Sequence, residues 1–320
     1  MDFTLVLTNL YNPTILFFIL GIVAVWIKSD LEIPPSSSKF ISLYLLLSIG
    51  FKGGQELAHE HFSLEVGFSL LFGCAIALVI PLYIFHLLRT RLNIYDSAAV
   101  AACYGSVSAV TFAAGITFLE AQKMSSDGHM VAIMALMEAP AIVMGMFLMR
   151  RYDLSGDSKN SISELIKHSL TNGSVLLILG SLIIGIVADS KQAEGIKPFT
   201  NDIFKGFLAI FLLEMGMLTA KRFAAFRKYG FFIIAIALTL PLINGIAVAI
   251  CSSLVTESDA NRFMFAVLAA SASFIAVPAA MRISNPKSDP GLYLPMSLGL
   301  NFPFNITLGM PIYYYVIQLT

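Results

Sequence analysis

Ten apolar stretches, each near the length a helix needs to cross a bilayer, follow one another along the chain with little between them. A spanning helix takes about 20 apolar residues. Such stretches lie at 12–28, 38–57, 64–88, 95–119, 128–150, 172–189, 201–220, 230–253, 260–282 and 291–318. The longest connection is RRYDLSGDSKNSISELIKHSL, residues 150–170, so no separate soluble domain fits between them. Composition agrees: 57% of residues are hydrophobic and only 12% are charged, with a mean hydropathy of +0.81. A water-soluble domain cannot hide that much apolar surface, so the lipid bilayer is the solvent for most of this chain. The reading is an all-α membrane protein of ten transmembrane helices in a single membrane domain.

Orientation follows from the basic residues. Fourteen of the twenty Lys and Arg lie in the connections after odd-numbered spans, among them Arg89, Arg91, Arg150, Arg151, Lys221 and Arg282. The other side carries six: Lys52, Lys123, Lys191, Lys197, Lys205 and Arg262. The positive-inside rule puts the richer side in the cytoplasm and both termini outside. The beginning MDFTLVLTNLYNPT lacks a cationic stretch ahead of its apolar run, so the first span is expected to remain as a helix. Cys74, Cys103 and Cys251 fall far apart in apolar runs and read as free, buried thiols.

The chain also repeats itself. GIVA occurs at 21–24 and 185–188; SIGFKG (48–53) matches EMGMLT (214–219) in pattern. VSAVTFAA (107–114) pairs with ASASFIAV (270–277), and MEAPA (137–141) with LNFPF (300–304). The offsets all lie near 164 residues. Five spans per copy is an odd number, so the second copy enters the membrane from the opposite side. This predicts a first repeat over 1–150, a cytoplasmic linker over 151–171 and an inverted second repeat over 172–320, the arrangement of secondary transporters.

Within the repeats, GSVSAVTFAAG (105–115) and its counterpart at 270–278 place Gly, Ser and Thr where lipid favours Leu and Ile. Small residues let helices pack closely. A pair of such segments at equivalent positions of spans four and nine points further, to two helices broken at membrane depth. Broken backbone must be buried in protein or line a wet cavity. Half-helix N-termini would then offer N–H groups to an anion, while freed carbonyls and hydroxyls hold a cation. Each terminus contributes only about 0.3–2 kcal/mol to a charge, so several groups must converge.

The run YGSVSAVTFAAGITFLEAQKMS…LMEAPAIV (104–143) resembles the sodium-dependent bicarbonate transporters first known from cyanobacteria. The similarity continues through AASASFIAVPAAMRISNPKSDPGLYLPMS (269–297) and includes NPT at 12–14, IGFKGG (49–54) and MGM (215–217). The resemblance implies a core domain moving against a gate domain, a homotrimer in the bacterial inner membrane, and uptake of bicarbonate driven by Na⁺. Transferred to this chain, it puts a bicarbonate or similar small anion among Gly105, Ser106, Ser108, Ala109, Ser271, Ala272, Ser273 and Phe274. Na⁺ falls to Ser108, Thr111, Glu138, Asn301 and Asn305. Two departures stand out: Ala272-Ser273-Phe274 replaces the family's Ser-Ser-Asp, and Asn301-Phe302-Pro303 replaces Gly-Thr-Pro. The first removes a carboxylate, which is why the two asparagines enter the cation set. The acidic insert of cyanobacterial members is also missing, and with it the basis for expecting their PII-like regulatory partner.

Other polar residues are weaker signals. Glu138 precedes Pro140 by two residues, where a kink would free carbonyls. Glu214, in FLLEMGM, faces either a cavity or a protomer interface. Arg282 reads as a snorkelling anchor and His59-Glu60-His61 as a solvated turn. No GxSxG, HExxH, GxxxxGK[ST] or GxGxxG occurs, so neither an enzyme nor a cofactor is expected, with Na⁺ as the coupling ion. Nucleic-acid binding has no support, because topology alone accounts for the basic residues. Two alternatives stay open: a cation/proton antiporter on the same fold, and a membrane sensor that has lost its ion site.

Overall fold

The computed structural model describes residues 10–60, 63–153, 173–226 and 230–320. Among these residues the chain is all-helical, with no strand. Helix starts are written in the sequence. Asn12 accepts from the N–H of Thr14 at 3.1 Å and Pro13 occupies the first turn, opening α1 (Pro13–Trp26). Proline also opens α2 (Pro35–His59), and the Ser63 hydroxyl caps α3 (Leu64–Leu88). Proline suits the first turn because its missing N–H would have no partner there, and Ser or Asn side chains replace the partners that the first N–H groups lack.

The fourth span is two helices, α4 (Ile94–Gly105) and α5 (Ala109–Ala121), separated by extended backbone at Ser106–Ser108. α6 follows as an unbroken helix, His129–Tyr152. Pro140 lies inside it without ending it. After the undescribed part of the linker come α7 (Gly173–Val187), two short turns at Ser190–Glu194 and Pro198–Asp202, α8 (Phe204–Phe226) and α9 (Gly230–Cys251). The ninth span is again two helices, α10 (Asp259–Ala270) and α11 (Ala276–Ser284). The last, α12, covers residues 290–317 and alternates between α and π geometry, with π turns at Pro295–Asn301 and Asn305–Gly309. Pro295, Pro303 and Pro311 each remove a donor from the ladder, and the wider π turn accommodates the loss.

Five of these elements are both long and apolar enough to cross a membrane by themselves: Leu64–Leu88, Ile94–Ala121, His129–Tyr152, Pro198–Lys221 and Gly230–Leu254. Ten were expected. Pro13–Trp26 and Gly173–Val187 are apolar but shorter. α2 is long enough but carries Lys39, Lys52, Gln55 and Glu56, while the ninth span is divided by its break.

Packing follows small residues. α1 lies on α8 where a Cβ on Gly216 would come 3.2 Å from the Cα of Gly21. α2 lies on α7 in the same way: a Cβ on Gly185 would stand 2.9 Å from the Cα of Gly54. Without a hydrophobic drive between helices in lipid, such close backbone approach is a main source of association. The remaining spans pack around α4 and α10, whose side chains are almost wholly buried. The three cysteines are free, but only Cys103 is buried; Cys74 is half-buried and Cys251 exposed, at the end of α9.

Candidate functional site

The two helix breaks meet. The Ser273 N–H donates to the carbonyl of Cys103 at 2.8 Å, and the Ser108 N–H donates to Ser271 Oγ at 3.1 Å. Each break thereby satisfies backbone groups left over by the other. Ser271 Oγ also donates to the Leu268 carbonyl at 2.8 Å, closing the end of α10. Gly105 reaches this point because a Cβ there would strike the ring of Pro81 in α3.

Capping uses up part of the donor set and leaves the rest. Ser108 Oγ accepts from the Thr111 N–H at 3.2 Å, and Ser273 Oγ accepts from the Val277 N–H at 3.2 Å. Among the described residues, the N–H groups of Ala109, Val110 and Ala276 have no hydrogen-bond acceptor. These three residues line one cavity of about 50 Å³, together with Ser108, Glu138, Ser273 and Phe274. A space of roughly 10–15 Å³ on this measure holds a water, so the cavity has room for a small inorganic ion. Two positive helix ends favour an anion there. The Glu138 carboxylate, half-buried and without a hydrogen-bond or ion-pair partner among the described residues, favours a cation beside it.

Of the residues singled out in the sequence, Ser108, Ala109, Glu138, Ser273 and Phe274 share this cavity. Gly105, Ser106, Ser271 and Ala272 are buried in or next to the breaks but do not line it. Thr111 is fully buried and its hydroxyl has no partner among the described residues; the Ser106 hydroxyl is in the same condition. Asn301 and Asn305 do not line this cavity. Both side-chain amides donate to the Ala270 carbonyl at 2.9 Å, and Asn305 also donates to Asn301 Oδ1 at 2.9 Å. Asn305 Oδ1 in turn accepts from the Tyr313 hydroxyl at 2.8 Å. Both asparagines are engaged in closing the C-terminal end of α10, away from the cavity lining. The expected solvated turn at Glu60 differs as well. Its carboxylate accepts from the Gly128 N–H at 2.5 Å and contacts His129 Nδ1 at 2.9 Å, fastening the start of α6. His61 lies outside the described residues.

Ser42, Ser174 and Ile49 also line the cavity and were not singled out in the sequence. Lone serines in FISLYL and NGSVLL were the available signal. Phe274 lines both this cavity and a larger one of about 830 Å³ that reaches Lys39 and Lys221. Its ring stands edge-on to Phe302 at 5.7 Å, and Phe302 stands edge-on to Phe18 at 5.8 Å. Ile49 also lines a cavity of about 230 Å³ bordered by Lys52, Glu56, Glu120, Asp127 and Lys205. The small cavity at the breaks therefore shares lining residues with two larger ones.

No curated protein matches the chain. A family model does match, over residues 13–318, nearly the whole sequence, and its description is the Na⁺-dependent bicarbonate transporter superfamily. That family is one of transporters, which is not an enzyme class. On that match, the chain belongs to the Na⁺-dependent bicarbonate transporter superfamily.

Proposed function

We propose that this protein is a secondary symporter that takes up bicarbonate, or a similar small anion, with Na⁺ by alternating access. The observation that carries the reading is the cavity at the meeting point of the two breaks. Three N–H groups without acceptors and one carboxylate without a donor line the same small space. The anion lies at the N-termini of α5 and α11, against Ser108, Ala109, Ser273 and Phe274. Na⁺ lies on the Glu138 side, within reach of Ser108, with Thr111 behind it. Binding the two together makes each less costly to desolvate, because opposite charges attract strongly where water is excluded. Asn301 and Asn305 act indirectly in this arrangement, by holding the end of α10.

Two inverted five-helix repeats are supported by contacts that recur with the halves exchanged. α1 on α8 and α2 on α7 are one packing seen twice, each with a glycine pair. Likewise, the Asp289 N–H donates to Asp96 Oδ1 at 2.7 Å, and the Asp127 N–H donates to Asn261 Oδ1 at 3.0 Å. Each bond ties a loop of one half to the first turn of the broken span of the other. We assign α1, α2, α7 and α8 to the gate and the remaining spans to a core that moves against it in an elevator-type step. The protein works as a homotrimer in the bacterial inner membrane with both termini outside. The cavity of about 830 Å³, on the face bearing Lys39 and Lys221, then opens to the cytoplasm, and the one bordered by Lys52 and Lys205 faces outward.

The test is uptake of labelled bicarbonate by proteoliposomes. An inward Na⁺ gradient stimulates it, and Ser108→Ala combined with Thr111→Ala reduces it to background while the protein stays folded. Absent or Na⁺-independent uptake by folded wild-type protein overturns the reading. Acidification of the lumen during Na⁺ efflux, lost in Glu138→Gln, would instead favour antiport.

A further inference from the structure

The large cavity on the face bearing Lys39 and Lys221 contains a group that the proposed transport site does not use. Glu214 sits in α8 between Leu213 and Met215, with a side chain only 9% exposed. It lines that cavity of about 830 Å³. One of its carboxylate oxygens, Oε2, is buried with no hydrogen-bond partner, and Ser38 lines the same cavity. Among the described residues no ion pair reaches it.

That arrangement is costly unless something positive joins it. A buried ion with no counter-charge loses several kcal/mol of solvation, and an acceptor left without a donor adds about 1–3 kcal/mol. The two lysines do not supply the charge by contact: both line the cavity, both are exposed, and neither lies within ion-pair distance. Exposed Glu32 stands near them at the mouth. The same cavity offers hydroxyl oxygen. Ser38 and Ser42 are four residues apart on α2, so both hydroxyls fall on one face of the helix, and both border the cavity. Around them the walls are apolar, with Phe211, Leu218 and Phe274, which raises the strength of any charge interaction inside.

We propose that Glu214, with the hydroxyls of Ser38 and Ser42, forms a binding site for a monovalent alkali cation in this cavity. The donor set decides the class. Carboxylate and hydroxyl oxygens suit a hard cation, in contrast to the imidazole and thiolate sets of transition metals. A single carboxylate balances a single positive charge. Among the described residues, no group of three His, Cys, Asp or Glu side chains comes together as a centre of higher charge would need. Glu214 does not line the cavity at the helix breaks, although Ser42, Ser174, Phe274, Ile275 and Ala276 border both spaces.

Isothermal titration of the purified, detergent-solubilised full chain with NaCl, in choline chloride at constant ionic strength, tests the assignment without any transport step. In Glu214→Gln the site weakens at least tenfold or disappears, and Ser42→Ala weakens it several-fold. The same component persists in Ser108→Ala with Thr111→Ala, which separates this site from the one at the breaks. KCl producing the component in place of NaCl supports the alkali class equally. If Glu214→Gln is not folded by circular dichroism, Ser42→Ala decides alone. Titration of both variants indistinguishable from wild type, or a wild type whose entire Na⁺ signal vanishes with the Ser108 and Thr111 substitutions, overturns the proposal.

Discussion

Asn305 shows how much of a residue's role is settled by what lies across from it. Its amide reaches the Ala270 carbonyl and Asn301, and its oxygen takes the Tyr313 hydroxyl, all within a fully buried cluster. Replacing it by Ala leaves a buried carbonyl with one donor fewer and a buried hydroxyl without this acceptor, a loss of about 1–3 kcal/mol. Thermal unfolding of Asn305→Ala in detergent should show that loss equally in NaCl and in choline chloride. A destabilisation seen only in Na⁺ would return the residue to the cation set. The sequence could mark Asn301 and Asn305 as polar groups in an apolar run, four residues apart on one helical face. It could not say that their shared partner is a carbonyl some thirty residues earlier, because helical period carries no information about what packs opposite. Glu138 is the contrasting case. Its cost in an apolar helix is visible in sequence, and the structure places it at the cavity lining.

Among elements, the interrupted spans were the most legible. Serines and glycines in place of branched apolar residues announced both breaks, which fall at Ser106–Ser108 and between Ser271 and Ile275. Pro140, by contrast, does not end α6, since a proline removes one donor and the helix runs on through that loss. Helix contacts were less legible than helix breaks. Glycine repeats suggest close approach without naming the partner helix, and only packing pairs Gly185 with Gly54. Gly185→Val should therefore act like an overpacked core substitution. Its Cβ alone would meet the backbone of Phe51, Gly54 and Gln55, so the two helices must separate. A loss of at least about 1–3 kcal/mol is expected, measured as a lowered unfolding temperature. The same change at Gly206, where no atom stands within 4 Å of an added Cβ, serves as the control.

For the whole molecule, the face bordered by Lys52 and Lys205 carries a small ion-pair network. Glu120 at the end of α5 lies 2.8 Å from Lys205 of α8 and 3.7 Å from Lys52 of α2. These side chains are a third or more exposed, so the pairs contribute no more than about 0–1 kcal/mol each to stability. Glu120→Gln should leave the unfolding temperature nearly unchanged. If the core moves against the gate as proposed, this network must part in each cycle, and the substitution raises the rate at which a Ser48→Cys reporter in that cavity reacts with a membrane-impermeant maleimide. An unchanged labelling rate counts against that motion. The sequence by itself determined the solvent, the helical class, the place of the two breaks and the near-constant offset between the halves. Those properties are local or periodic, fixed by side-chain polarity, helical period and the spacing of spans. The fold in three dimensions was needed to show that Ser108 meets Ser271, that two asparagines close a helix end, and that Glu214 and Ser38 line one cavity. Those are pairings across roughly 30 to 175 residues of chain, set by which helices lie together and therefore absent from any single stretch of sequence.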